Sequence, residues 1–95
     1  MNKREHLLTC LIEECSEIQK PICKAQRFGE NDHYPEATIT NIEEVENEID
    51  DLMGVIELLR EEGILRRPIN PINVEKKKAK IKKYMEYARN VGALI

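Results

Sequence analysis

The 95-residue chain has no tryptophan, one phenylalanine and three tyrosines, too few large aromatics for an ordinary sheet core. Long apolar runs are missing too. No stretch approaches the ~20 apolar residues of a membrane span. No secretory signal is expected either, because Leu7 and Leu8, the first apolar residues after Met1, sit among charged and polar neighbours. Cysteine is sparse and odd in number: Cys10, Cys15 and Cys23 form no CxxC pair and have no suitably spaced histidines. That argues against a zinc or disulfide framework and predicts free thiols in a reducing cytoplasm. His6 and His33 read as surface residues.

Charge is abundant, at 35% of residues, yet the formal net is only −3. The small net hides a segregation. Residues 1–65 carry 6 Lys+Arg and 16 Asp+Glu, a net of −10; residues 66–95 carry 9 and 2, a net of +7. A polyanion binder would be basic throughout, so no nucleic-acid or membrane partner is expected.

Apolar spacing predicts an all-α chain with helices over about 3–28, 41–62 and 73–91. Leu8, Leu11, Cys15, Ile18, Ile22 and Ala25 alternate in steps of three and four, one buried stripe of a helix. Cys15 on that stripe reads as packing. Pro21 removes the hydrogen bond to the Glu17 carbonyl and predicts a kink or short break, and Gly29 supplies a C-terminal stop. Residues 29–39 read as a loop. Thr40/Glu43 can form a capping box, with Asn41/Glu44 as the competing register. Ile42, Val45, Ile49, Leu52, Ile56 and Leu59 carry the second stripe, which ends near Gly63. Asn70-Pro71 or Asn73 opens a third helix with a thinner stripe of Val74, Ile81, Met85, Ala88 and Val91 among lysines. Three narrow stripes make a marginal core, so an antiparallel bundle completed by homo-oligomerisation is expected, with a monomeric bundle as the alternative.

Two acidic clusters lie on these helices: Glu13-Glu14-Cys15-Ser16-Glu17 and Glu48-Ile49-Asp50-Asp51. At about 100° per residue, Glu14 and Glu48 each lie roughly 70° from their stripe centres, and Glu17 and Asp51 roughly 130°, in the same rotational sense. Glu13 points almost directly away. Antiparallel packing would converge Glu14, Glu17, Glu48 and Asp51, which repel unless a cation lies between them. Oxygen-only ligation suits Mg²⁺, or Mn²⁺, rather than zinc. The competing reading is a pair of solvated helix faces.

The pair EExxE and ExxD, with KAQRFG trailing the first, EVENEIDDLMGVIELL around the second and KKYMEYARNVG near the end, resembles the MazG-like nucleotide pyrophosphohydrolases, specifically a short phage and bacterial branch. The likeness spans about Leu7 to Gly92. Thirty residues (18–47) separate the motifs, long for that family, and Asp50 stands where glycine is common. The resemblance implies an all-α NTP pyrophosphatase fold and Mg²⁺-dependent cleavage of a nucleoside triphosphate to monophosphate and pyrophosphate. It carries the metal ligands onto Glu14, Glu17, Glu48 and Asp51, and implies a homodimer or homotetramer. Glu17 or Glu13 would take the proton of the attacking water. Lys24, Arg27, Lys80, Lys83 and Arg89 are candidates for the phosphates, and Tyr84 for base stacking, although its spacing from Ile81 and Ala88 also fits a core position. The alternatives are a specialised dUTP, dCTP or alarmone hydrolase, or a non-catalytic helical module that binds a partner or RNA.

Overall fold

The computed structural model describes all 95 residues and is entirely helical: α1 (Lys3–Glu17), α2 (Gln19–Phe28), α3 (Asn41–Glu61) and α4 (Pro71–Asn90). The first predicted helix is divided in two. Pro21 is buried in the first turn of α2 and has no N–H for the Glu17 carbonyl, so the chain steps at Ile18 before the helix resumes. α2 ends at Gly29, whose φ of 108° and ψ of 146° lie where only glycine sits without strain.

The loop after Gly29 fixes the start of α3. All four N–H groups that a helix leaves without internal partners find acceptors there. Thr40 and Asn41 donate to Glu43 Oε1 (3.1 Å) and the Asp32 carbonyl (2.8 Å). Ile42 donates to the Glu30 carbonyl (3.0 Å), and Glu43 to Thr40 Oγ1 (3.3 Å). The capping box therefore takes the Thr40/Glu43 register. Buried Asn41 adds a bond from Nδ2 to the Gly29 carbonyl (3.0 Å), tying the glycine turn to the helix.

α1 and α2 pack along α3. Two ion pairs fix the direction: Lys3 at the start of α1 meets Glu62 just past the end of α3 (2.9 Å), and Lys24 of α2 meets Glu44 near its start (2.7 Å). The packing is antiparallel. The core between these helices is small: Val45, Leu59 and Pro21 are its buried apolar residues, and Leu59 alone has no exposed surface.

Its position follows most of the apolar periodicity. Leu8, Leu11, Ile18 and Ala25 of the first stripe are half-buried, while Cys15, expected as packing, and Ile22 are exposed. In α3 Val45 and Leu59 are buried and Ile42, Leu52 and Ile56 half-buried, while Ile49 is 44% exposed. Glu14 and Glu48, expected on the flanks, are half-buried as well.

α4 opens at Asn70-Pro71, with Asn70 Oδ1 accepting from the N–H groups of Ile72 (3.0 Å) and Asn73 (3.3 Å). It makes no helix–helix contact with α1–α3 and buries no residue. Tyr84, a possible core residue by spacing, is 59% exposed. The radius of gyration is 17.1 Å, against about 12 Å for a compact chain of this length. No helix is long and apolar enough to cross a membrane.

Candidate metal centre

Glu14 and Glu17 are one turn apart on α1, and Glu48 and Asp51 one turn apart on α3. The antiparallel register brings them to one level of the bundle. Carboxylate oxygens of Glu14, Glu17 and Glu48 lie within 4.8 Å of one another. Asp51 is near enough for its charge to act on both Glu14 and Glu48.

The cluster is electrostatically unbalanced. Burial, then the neighbouring charges of Glu17, Asp51 and Glu48, push the Glu14 carboxyl above its ordinary range. Burial, followed by Glu17 and Asp51, does the same to Glu48. Oε2 of Glu14 and Oε2 of Glu48 are both buried and have no hydrogen-bond partner. Buried acceptors are normally paired, and two orphaned carboxylate oxygens beside a third carboxylate require a proton or a cation. A hard divalent cation with oxygen ligands fits this donor set, since neither His nor Cys belongs to it.

Beside the carboxylates opens a cavity of about 470 Å³, lined by Glu17, Lys20, Pro21, Lys24, Ile39, Glu44, Asn47 and Glu48. Lys24 is held on two sides, by Glu44 and by the Tyr34 ring 5.3 Å from its Nζ. Of the residues singled out in the sequence, Glu14, Glu17, Glu48 and Lys24 meet here. Glu13 is exposed and outside the cluster; its carbonyl accepts from Ser16 Oγ (2.7 Å). Arg27 lies over the Phe28 ring, 4.9 Å from its centroid. Lys80, Lys83, Tyr84 and Arg89 are on α4, which the chain does not fold against its own carboxylates.

Lys20, Glu44 and Asn47 were not singled out from the sequence. Helical spacing carried a signal for each: Lys20 follows Glu17 by one turn, and Glu44 precedes Glu48 by one turn on the same face. Asn47 adjoins Glu48 directly. No protein-family model, no curated protein and no solved structure matches this chain.

Proposed function

We propose that the chain is a Mg²⁺-dependent nucleoside triphosphate pyrophosphohydrolase of MazG-like type, cleaving (d)NTP to (d)NMP and pyrophosphate in the cytoplasm of a bacterium or a phage-infected host. One observation carries the reading: two orphaned, buried carboxylate oxygens, on Glu14 and Glu48, converge with Glu17 beside a cavity edged with lysines. Glu14, Glu17 and Glu48, with Asp51 adjoining, would hold Mg²⁺, or Mn²⁺ in its place. The bound ion would neutralise phosphate charge and acidify the attacking water. Glu17, the exposed member of the three, would accept that water's proton. Lys20 and Lys24 supply positive charge for the polyphosphate. Engaging Lys24 requires the phosphate to compete with Glu44, which favours a strongly charged triphosphate over a monophosphate.

The test is a panel of ribo- and deoxyribonucleoside triphosphates with Mg²⁺, following pyrophosphate and monophosphate together. Equal release of both is expected; orthophosphate without pyrophosphate would exclude cleavage between the α and β phosphates. Glu48→Gln keeps the shape of the side chain and removes its charge. It should lower turnover by at least about 100-fold while leaving helicity unchanged, in keeping with loss of one preorganised electrostatic group. Wild-type turnover in this variant would eliminate the carboxylate cluster as the reaction centre.

A further inference from the structure

Two cavities share the Lys24 side chain as a wall. One is the lysine-edged cavity beside the carboxylates; the other, of about 350 Å³, lies toward the loop after α2. Its further walls include Phe28 at the end of α2, Asp32, His33 and Tyr34 of the loop, and buried Asn41 at the start of α3. α2 links the two. Lys20, Lys24 and Phe28 follow one another at steps of four on one helix face, a rise of about 12 Å.

The second cavity gathers aromatic surface in a chain that has little. Of four aromatic side chains, Phe28 and Tyr34 edge it, 56% and 65% exposed. Tyr84 and Tyr87 stand on α4, away from the carboxylates. Such exposed rings offer a flat face to any planar ligand.

Asp32 and His33 add hydrogen-bond acceptors. The Asp32 carboxylate belongs to none of the chain's three ion pairs. His33 Nδ1 lies 2.7 Å from the Tyr34 carbonyl. A carbonyl only accepts, so Nδ1 carries the hydrogen and the neutral ring keeps Nε2 as an acceptor. The loop is held in this arrangement by its backbone. The Asp32 carbonyl accepts from the Asn41 N–H (2.8 Å), the Tyr34 carbonyl from the Ala37 N–H (2.9 Å), and the Gly29 carbonyl from Asn41 Nδ2 (3.0 Å). This loop lies in the long interval between the two acidic motifs, where the chain departs from the family it resembles.

We propose that the second cavity is a base subsite, and that it takes an amino-bearing base (cytosine, adenine or guanine) in preference to uracil or thymine. The inference rests on the catalytic reading above and names the substrate class of that site. The base stacks on Tyr34 and Phe28, while its triphosphate runs past Lys24 and Lys20 toward Glu17. Amino hydrogens donate to the Asp32 carboxylate, a charge-assisted bond. Uracil and thymine have two carbonyl oxygens flanking a single N–H. A carbonyl set against the carboxylate leaves both acceptors unpaired, which disfavours those bases.

The experiment measures binding of α,β-methylene triphosphates of cytidine, adenosine, guanosine and uridine to the full chain with Mg²⁺, by calorimetry. Inorganic triphosphate serves as the base-free control. Wild type should bind the three amino-bearing nucleotides at least about tenfold more tightly than the uridine one. Tyr34→Ala should weaken their binding by about tenfold or more and leave inorganic triphosphate unaffected, and Tyr34→Phe should restore it. Asp32→Asn, whose amide both donates and accepts, should shrink the penalty on uridine to about threefold or less. Nucleotides that bind no more tightly than inorganic triphosphate overturn the proposal, as does a uridine nucleotide that binds like the others. Tyr34→Ala losses equal for nucleotides and inorganic triphosphate also overturn it, because Tyr34 would then act only by placing Lys24. In each of these outcomes the phosphate site still binds and the catalytic reading stands. A chain that binds neither nucleotides nor inorganic triphosphate overturns both.

Discussion

Glu14 and Glu48 show how a residue's place in a packed face sets its chemistry. Both carboxyls bind their proton more tightly in the folded chain than in the unfolded one, because burial and neighbouring carboxylates penalise the anion. A group raised in this way favours the native state at low pH and loses that contribution as pH rises through its folded value. The window starts at the ordinary value of 4.5 and extends upward. Without divalent ions, thermal unfolding should therefore show Glu48→Gln gaining on wild type as pH rises from about 4 to 7. Adding Mg²⁺ at pH 7 should close the gap by stabilising the wild type alone, as a ligand bound only to the native state does. Parallel pH profiles for the two proteins would mean that the Glu48 charge carries no strain. Gly29 is the other decisive residue. Its φ of 108° excludes a side chain without strain, although a Cβ there would meet nothing closer than Asp32 Cβ at 4.0 Å. Gly29→Ala should thus cost about 1–3 kcal/mol in denaturant unfolding, from backbone conformation rather than a clash.

At the scale of the element, much was legible because local rules decided it. Pro21 predicts the step at Ile18, Gly29 the end of α2, and Asn70-Pro71 the start of α4. Thr40 and Glu43 predict a cap, and their geometry selects it over Asn41/Glu44 because Asn41 is used to hold the Gly29 carbonyl. Thr40→Ala should destabilise the chain by about 1 kcal/mol in chemical denaturation. The Glu43 carboxyl is held below its ordinary 4.5 by the Thr40 N–H and hydroxyl. A lowered carboxyl stabilises the fold above its ordinary value and loses that contribution as pH falls through the folded value, so the Thr40→Ala deficit should shrink in acid. What periodicity misplaced is a few positions of the buried face. It put Cys15 and Ile49 inside and Glu14 and Glu48 on the flank, because hydrophobicity counts carboxylates as solvent-seeking. Glu14 and Glu48 are half-buried instead, and that local misfit marks the candidate site. Local conflict of this kind is where function tends to reside.

For the whole molecule, the charge split was plain in the sequence, but the separation of α4 was not. Nothing in α4's stripe distinguishes a helix that packs on its own chain from one that packs on another. The buried core around Val45 and Leu59 is small, and α4 adds no buried residue to it in cis. If folding is completed by association, stability must depend on protein concentration. For a dimer, a 100-fold increase in concentration adds about 2.7 kcal/mol. Spread over two chains of this length, that raises Tm by about 5–10 °C. If such an association joins the oppositely charged segments, raising the salt from about 0.05 to 0.5 M should lower Tm at fixed concentration, by screening that attraction. Salt also relieves repulsion within the carboxylate cluster, an effect of opposite sign. Glu48→Gln removes part of that opposing contribution and should show the larger salt-induced decrease. Calorimetry at two concentrations and two salt levels separates the cases. A Tm that ignores concentration would mean that α1–α3 fold as a monomer, with α4 an appendage to a self-sufficient core.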